Sequence, residues 1–317
     1  MNRAASFLHD RQDFPDLLRI LGERHQIDPS LIEKDYWIMH CLWGLQQEDW
    51  QFELKGGTSL SKGFRLIDRF SEDIDIHILP PEDQHVMSGK NHDKPTHIES
   101  RRQFFEWLAS KIQIPGLISI ERDQEFDDEK FRSAGIRLNY QSHMEHIPGI
   151  KAGVLLEVGF DDTAPNMPCT ISSWAMDAAQ SSHVDVIDNR AIDVPCYSPA
   201  YTFVEKLQTV STKFRQQQQS AAFPKNFLRH YYDLYCLLDS PEVLAFIGTE
   251  EYYDRKAVRF RAGDNLDIAS NEAFVLNNPQ VRELYEGKYQ ETAALYYAGQ
   301  VPFDEILARI QKHITRL

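Results

Sequence analysis

Residues 56–78 read GGTSLSKGFRLIDRFSEDIDIHI. The preceding residues, QFELK, alternate like a short strand, which the glycine pair Gly56 and Gly57 ends. TSLSKGFRLI has the apolar spacing of a helix, and DIDIHIL alternates apolar and polar residues as a strand does. The pattern predicts a strand, turn, helix and strand unit.

The glycine pair and the start of the predicted helix form a candidate phosphate site. Neither glycine has a Cβ atom, so the backbone can turn tightly and approach a ligand closely. Thr58 and Ser59 open the helix, whose first N–H groups have no partner within it and attract phosphate oxygens. An ordinary turn followed by an N-cap accounts for the same four residues, so the motif gains weight only from its surroundings.

The next strand carries a pair of acidic residues. Asp73 and Asp75 are two residues apart and point to one face, while Ile74 and Ile76 point to the other. Adjacent carboxylates repel each other unless a cation lies between them, and oxygen ligands suit Mg²⁺ or Mn²⁺. A solvent-facing strand can carry such a pair without a metal. The combination of glycine turn, helix start and carboxylate pair nevertheless favours a site for a metal and a phosphate.

Composition limits the class of protein. With 317 residues, of which 42% are hydrophobic, the chain predicts a folded globular protein. It has no apolar run long enough to cross a bilayer and no signal-peptide pattern at its start, so we expect a cytoplasmic protein outside the membrane. The net charge of -14 argues against charge-driven adhesion to nucleic acid over the whole surface. No zinc or disulfide pattern involves Cys41, Cys169, Cys196, Cys236, His85, His92, His97, His143 or His146.

One segment departs from this acidic average. Residues 206–232 contain no Asp or Glu, and their basic residues are Lys206, Lys213, Arg215, Lys225 and Arg229. A solvated helix face explains such a run. A surface for polyphosphate or for an RNA backbone explains it as well, because phosphate binding needs locally clustered Lys and Arg.

The remaining patterns divide the chain into two predicted domains. Residues 1–195 combine helices and strands and predict an α+β domain with N-terminal helices and one mixed sheet, whereas residues 196–317 are helical in pattern. Predicted helices begin near residues 14 and 29 and cover 98–112, 201–217, 226–238, 280–298 and 303–314. Further predicted strands cover 118–123, 135–140 and 153–160, and a polar loop covers 80–95.

These motifs resemble those of the AbiEii/AbiGii toxin family, which are nucleotidyltransferases of the DNA polymerase β superfamily. Besides residues 56–78, three elements occur in the family's order: IEKDYW at Ile32–Trp37, TFVEKL at Thr202–Leu207 and RHYYDLY at Arg229–Tyr235. The resemblance covers about residues 30–240. It implies a polymerase β-like mixed sheet with flanking helices, followed by a helical C-terminal half.

The resemblance also implies roles for individual residues. The nucleotide-binding residues would be Gly56, Gly57, Thr58 and Ser59. The ligands of the catalytic Mg²⁺ or Mn²⁺ would be Asp73 and Asp75. From the helical domain, Lys206 would contact the triphosphate and Asp233 would add an acidic group to the site. Arg69 and Ser71 would brace the metal-binding carboxylates, although a plain surface position explains Arg69 equally well.

Two further positions have both a functional and a structural interpretation. Glu157 is a lone acid on a mostly apolar strand, which predicts either a third catalytic carboxylate or a partner for an Arg, and Asp161 is the alternative carboxylate. Arg229 lies four residues before Asp233, so the two can form an ion pair on one helix face. The sequence leaves both alternatives open.

The expected reaction transfers a nucleoside monophosphate from an NTP to an acceptor and releases pyrophosphate. The resemblance implies the toxin of a toxin–antitoxin or phage-defence (abortive infection) pair, with RNA such as tRNA 3′ ends as acceptor and an antitoxin encoded nearby as partner. The alternatives are an NTP-binding module without transfer activity and a nucleotidyltransferase that modifies a small molecule. The presence of Asp73, Asp75, Lys206 and Asp233 favours chemistry over binding alone.

Overall fold

The chain forms two compact units. A computed structural model describes residues 5–145, 150–220, 222–224 and 226–317. The first unit comprises Met1–Gly63 and Ser71–Tyr197, and the second comprises Phe64–Phe70 and Ser198–Leu317. His146 and Lys225, which the sequence patterns place in a loop and in the basic run, lie outside the described residues.

The first unit begins with two helices and continues with strands and further helices. Its helices are α1 (Phe14–His25), α2 (Pro29–Gln47), α3 (Gly56–Thr58), α4 (Pro95–Lys111) and α5 (Trp174–Ser181). Its strands are β1 (Phe52–Lys55), β2 (Asp73–Ile78), β3 (Leu117–Asp123), β4 (Ser133–Tyr140), β5 (Val154–Gly159), β6 (Asn166–Ile171) and β7 (Ala191–Tyr197). Asp28 caps α2 by accepting a hydrogen bond from the backbone N–H of Ser30, and Pro29 occupies the first turn.

The strands form one seven-stranded mixed sheet in the order β3-β4-β5-β2-β1-β7-β6. Strand β2 lies between β5, to which it is parallel, and β1, to which it is antiparallel. This arrangement confirms the predicted α+β architecture. Ile74, Ile76 and Ile78 are buried on one face of β2, so Asp73 and Asp75 lie on the other face.

Two strands and one helix of the first unit lack a clear sequence signal. Strand β6 is at the edge of the sheet, and its Pro168 pairs in register with Pro195 of β7. Proline cannot donate to a strand ladder, and its presence argues against a strand in a sequence-based prediction. Helix α5 has only 8 residues, too few for a convincing helical period, although Ser173 caps it by accepting from the N–H of Met176 at 3.1 Å.

The helix after the glycine pair is shorter than predicted and begins earlier. Helix α3 starts at Gly56 and continues as a wider turn over Ser59–Gly63, after which the chain is not helical until it enters β2. Ile67 and Phe70 are buried in that non-helical segment. Their apolar spacing therefore reflects burial of an irregular segment, which is why the prediction of a helix through residue 67 was wrong.

The second unit is helical, which confirms the predicted helical C-terminal half. Its helices are α6 (Pro199–Ser220), α7 (Arg229–Leu237), α8 (Pro241–Phe246), α9 (Glu250–Arg259), α10 (Glu272–Val275), α11 (Pro279–Gln290) and α12 (Phe303–His313). Its described residues contain no strand. Helix α11 ends well before the predicted residue 298, and a separate short turn follows at Ala293–Leu295. Among the described helices of both units, none is long and apolar enough to span a membrane.

Candidate functional site

The glycine turn is fastened to the strand that carries the acidic pair. Gly56 has a φ of +74°, and a Cβ atom at this position would overlap the Oδ2 atom of Asp75, so glycine is the residue that fits without strain. The Thr58 hydroxyl donates a hydrogen bond to the backbone carbonyl of Asp73 at 2.5 Å. The Ser59 hydroxyl donates to the carbonyl of Gly56 at 3.0 Å. The two hydroxyls therefore hold the turn in shape and against β2.

Asp73 and Asp75 share one face of β2, as their spacing predicts. The Asp73 side chain is only 7% exposed, whereas Asp75 is half-buried. Lys151, in the segment before β5, places its Nζ atom 3.3 Å from Asp73 Oδ1 and 3.2 Å from Oδ2. An ammonium group thus neutralises the more buried carboxylate. Lys151 is not among the predicted site residues, because nothing in its immediate sequence marks it.

The sheet also brings Glu157 to the acidic pair. Strands β2 and β5 are parallel, with Asp75 directly opposite Glu157, and residues opposite each other point to the same face. Asp161 lies beyond the end of β5, and its Oδ2 atom is 3.9 Å from Lys55 Nζ. Within the described ranges, no group of three His, Cys, Asp or Glu side chains is arranged so that it could hold a metal ion. A metal here would therefore depend on ligands supplied by substrate and water.

Consecutive charged residues of α2 are buried, and each holds a different segment. Glu33 accepts a hydrogen bond from the backbone N–H of His143 at 2.8 Å. Asp35 accepts from the N–H of Trp174 at 2.9 Å and pairs with Lys62, which lies in the turn after α3. Successive helix residues point about 100° apart, so adjacent charges reach different elements. Through Asp35 and Lys62, helix α2 thereby fixes the turn Ser59–Gly63 that follows α3.

Lys34, between these two acids, anchors the segment that carries Lys151. Its Nζ atom donates to the backbone carbonyl of Lys151 at 2.6 Å and lies 3.6 Å from Glu72 Oε2. Burial lowers the pKa of Lys34 to about 8, although the charges of Glu72 and Asp73 oppose this shift. The element Ile32–Trp37 therefore supports the site structurally. A run of charges inside an apolar helix is the signal that could have shown this, because buried charges need partners.

Asp233 is the centre of a charged cluster in the second unit. Its carboxylate is fully buried and accepts hydrogen bonds from Arg69 Nε at 2.6 Å and Nη2 at 2.8 Å. Lys206 Nζ lies 3.1 Å from Asp233 Oδ2, and His230 Nδ1 lies 3.8 Å from it. Burial alone would raise the pKa of Asp233, but the charges of Arg69 and Lys206 hold it well below its usual range. Burial lowers the pKa of Lys206 and also that of His230, the latter to about 3, so His230 is neutral at pH 7.

Two residues have partners other than those expected. The family resemblance places Arg69 beside the carboxylates of β2, whereas its guanidinium donates to Asp233 and to the carbonyl of Phe70 at 3.2 Å. Arg229 is the expected helix partner of Asp233, but its Nε atom is buried without a hydrogen-bond partner in the described part of the chain. Arg69 reaches both oxygens of Asp233 at once, a geometry that a planar guanidinium favours. Ser71 is half-buried in the segment that leads into β2.

The chain matches one family of known proteins over most of its length. The sequence profile of the family described as nucleotidyl transferase AbiEii toxin, type IV TA system, matches residues 37–309. No curated protein matches the chain significantly. The crystal structure of an antigenic nucleotidyltransferase-like protein from Paracoccidioides brasiliensis is similar over 82% of this chain and 94% of that chain, with 13% identity and a TM-score of 0.36. A TM-score this low supports no conclusion about fold or function, whereas the family profile covers residues 37–309 of the chain.

Proposed function

Since the chain belongs to the AbiEii family of nucleotidyl transferase toxins of type IV toxin–antitoxin systems, we propose that it transfers a nucleoside monophosphate from an NTP to RNA with the help of Mg²⁺. Family membership gives the class of enzyme and the NTP as its substrate. The metal, the acceptor and the roles of single residues make up the proposal.

The contact between the glycine turn and Asp75 is the observation that carries the proposal. A phosphate bound to the backbone of Gly56 and Gly57 would be a direct neighbour of the carboxylates of β2, because Gly56 leaves no room for even a Cβ atom beside Asp75. Helix α3 has only 3 residues, so close backbone approach supports phosphate binding here more than a helix dipole does. Thr58 and Ser59 act in this proposal by shaping the turn.

The donor atoms of the first unit fit Mg²⁺ or Mn²⁺. Asp73 and Asp75 offer carboxylate oxygens on one face of β2, and they are the residues that would hold the ion. Mg²⁺ is usually bound by one or two protein carboxylates together with substrate phosphates and waters, which suits a site with this pair. A bound ion would neutralise phosphate charge and make the α-phosphorus easier to attack. Glu157, opposite Asp75 in register, stays a predicted third carboxylate.

In the proposed reaction, an acceptor hydroxyl oxygen forms a bond to the α-phosphorus of the NTP while the bond to the pyrophosphate oxygen breaks, and the proton of the hydroxyl is released to solvent. The backbone at Gly56 and Gly57 would hold the phosphates in place while negative charge moves to the pyrophosphate. Two roles stay predictions, namely contact of Lys206 with the triphosphate and participation of Asp233 in the site as an acidic group. The contacts of Asp233 support a different contribution, since its carboxylate fixes Arg69 and Lys206.

We propose RNA, such as a tRNA 3′ end, as the acceptor because of the basic run in an otherwise acidic chain. Helix α6 carries Lys206, Lys213 and Arg215. Arg215 Nε lies 2.9 Å from Asp264 Oδ1, so this guanidinium already has a carboxylate partner. Reversing the charge of Arg215 would break this ion pair as well, so Lys213 and Lys225 are the residues of the run whose charge reversal tests contact with RNA.

Incubation with each α-labelled NTP, Mg²⁺ and total RNA, followed by gel separation, tests the proposal. We expect wild-type protein to label one class of RNA with one NTP, and Asp75→Asn to label none, because the amide keeps the size but loses the charge. Asp304→Asn is the matched control, since Asp304 is exposed and pairs with Arg282 at 2.7 Å. Binding of NTP without labelling of any acceptor would identify a binding module, and labelling confined to small molecules would replace RNA as acceptor.

An antitoxin is the expected partner, because the family belongs to a two-component system. We propose that it is encoded next to this chain. Expression of the chain should arrest growth, and co-expression of the neighbouring reading frame should restore it. The Asp75→Asn variant should not arrest growth, which separates toxicity due to transfer from toxicity due to overexpression.

A further inference from the structure

The backbone of Lys151 is fixed on both sides by buried charged groups. Its N–H donates to Glu72 Oε2 at 3.1 Å, and its carbonyl accepts from Lys34 Nζ at 2.6 Å. The side chains of Lys34 and Glu72 are 2% and 1% exposed and lie 3.6 Å apart. Buried charges of this kind persist only when they are paired and hydrogen-bonded. The two anchors therefore hold residue 151 at a defined place beside β2.

The side chain of Lys151, in contrast, has room to move. Its ammonium lies 3.2 Å and 3.3 Å from the two oxygens of Asp73 and 4.3 Å from the centre of the Phe126 ring, yet the side chain is 29% exposed. A lysine side chain is a flexible stem that ends in a well-hydrated point charge. Its tip can leave Asp73 while its backbone stays anchored.

We propose that Lys151 is a displaceable counter-ion of Asp73, which rests on the proposed role of Asp73 as a metal ligand. Without metal, the ammonium neutralises Asp73 and keeps its carboxylate in place on the sheet face. A divalent ion that binds both carboxylates displaces the ammonium, because two cations at one carboxylate repel each other. The released ammonium then binds the phosphates of the nucleotide that arrives with the ion.

This exchange couples the two ligands. Metal alone binds weakly, since it has to break the ion pair between Lys151 and Asp73. Nucleotide offers the freed ammonium a new anionic partner, so metal and nucleotide strengthen each other's binding by the same factor. Lys151 thus makes the site bind its metal mainly in company with an NTP.

Mn²⁺ binding by Lys151→Met, measured through the electron paramagnetic resonance signal of free Mn²⁺, tests the inference without any turnover. Methionine approximates the unbranched apolar stem of lysine, one atom shorter, and removes the charge. We expect Mn²⁺ alone to bind about fivefold tighter than to wild type, the size of a partly exposed ion pair. The gain in Mn²⁺ affinity on adding a non-hydrolysable NTP analogue should shrink correspondingly.

Lys55→Met is the matched control for the loss of a nearby positive charge. Lys55 lies opposite Asp75 in register, but its Nζ atom pairs with Asp161 at 3.9 Å. Its replacement should change Mn²⁺ affinity less than twofold, because its partner Asp161 is neither of the two proposed metal ligands, Asp73 and Asp75. Lys151→Gln also lacks the charge and should behave like Lys151→Met. Agreement between the two variants would show that the thioether of methionine is not the cause of the change in Mn²⁺ affinity.

The outcomes separate this inference from the proposed function. If wild type binds no Mn²⁺, or if Asp75→Asn binds Mn²⁺ as tightly as wild type does, the proposed metal site is wrong. If wild type binds Mn²⁺ through Asp75, but Lys151→Met and Lys151→Gln bind it equally or more weakly, Lys151 is not a competing counter-ion and the proposed function stands. An equal rise in Lys55→Met would also overturn the inference, because it would indicate a general effect of charge.

Discussion

Gly56 lies so close to Asp75 that a Cβ atom at position 56 would overlap the Oδ2 atom of the carboxylate. The backbone of Gly56 is also in the left-handed region, at a φ of +74°, which L side chains rarely adopt. Two independent constraints therefore demand glycine at the junction of β1 and α3. Both concern the place where the proposed phosphate and metal sites meet.

Gly56→Ala should for this reason impair both stability and transfer. The strained φ should cost about 1 to 3 kcal/mol of the free energy of unfolding. Displacement of Asp75 by even 1 Å should reduce the rate of transfer roughly 100-fold. Denaturant titration and the labelling assay measure the two effects.

Gly287→Ala provides the control for this prediction. Gly287 lies in α11, and a Cβ atom there would meet nothing within 4 Å. Alanine in a helix interior should stabilise the protein by about 0.5 to 1 kcal/mol and leave transfer unchanged. Wild-type transfer by Gly56→Ala would remove the main support for the proposed site.

The features of the first unit that follow from local pattern were predictable, and those that depend on distant residues were not. The spacing of Asp73 and Asp75 sufficed to place both on one face of β2. The role of Lys151 depends on its hydrogen bonds with Glu72 and Lys34, which are far from it in sequence. No local pattern can show such a relation.

The segment Phe64–Phe70 shows the same limit. Its apolar residues predict a helix, yet the backbone N–H of Asp68 donates to Tyr232 Oη at 3.3 Å and not to a carbonyl of the preceding helical turn. The segment belongs to the second unit because of such distant contacts. The division into two domains, residues 1–195 and 196–317, stays a prediction from the sequence patterns, and no local pattern assigns Phe64–Phe70 to the second unit.

The ion pair between Arg69 and Asp233 should be essential for the stability of the second unit. Asp233→Ala leaves the buried guanidinium of Arg69 without its carboxylate and should cost about 3 to 5 kcal/mol of the free energy of unfolding. Asp239→Ala is the control, because Asp239 pairs with Arg309 but its side chain is 68% exposed. The control should cost at most about 1 kcal/mol. Denaturant titration decides, and equal costs for the two variants would refute the structural role of Asp233.

Lys206→Ala should weaken NTP binding with a smaller loss of stability than Asp233→Ala. Removing Lys206 leaves Asp233 paired with Arg69, so no buried charge loses its last partner. If Lys206 contacts the triphosphate, the dissociation constant of the NTP should rise about tenfold, the equivalent of about 1.4 kcal/mol. Binding of a fluorescent NTP analogue measures this change. Wild-type affinity together with wild-type turnover would assign Lys206 to the structural cluster alone.

Acidification should destabilise the first unit through His40. Its Nε2 atom donates to the carbonyl of Pro115 at 2.8 Å and its Nδ1 atom accepts from Asn189 Nδ2 at 2.7 Å, so the neutral ring fits and a protonated ring does not. Burial lowers the pKa of His40 to about 4. Between pH 6.5 and 4 the unfolded chain therefore binds a proton that the folded chain does not.

The stability that His40 contributes should be complete above pH 6.5 and lost as the pH falls toward 4, by up to about 3 kcal/mol. Denaturant titrations at several pH values should show this slope in wild type and a shallower slope in His40→Gln. His25→Gln, at an exposed position of α1, should retain the wild-type slope. Parallel slopes for wild type and His40→Gln would show that His40 is not the group responsible.

The nature of the acceptor is tested by reversing charge in the basic run. If Lys213 and Lys225 lie along an RNA backbone, each phosphate contact releases counter-ions, and log affinity should fall with log salt by about 0.7 per contact for single strands. Lys213→Glu with Lys225→Glu should then reduce RNA labelling strongly and flatten the salt dependence, while NTP binding changes little.

Lys90→Glu with Lys111→Glu is the control, because it reverses the same amount of charge at exposed positions of the first unit and should leave labelling intact. A small-molecule acceptor does not need to contact the basic run. If the variant with Lys213→Glu and Lys225→Glu labels its acceptor as wild type does across a salt series, the acceptor is a small molecule and not RNA.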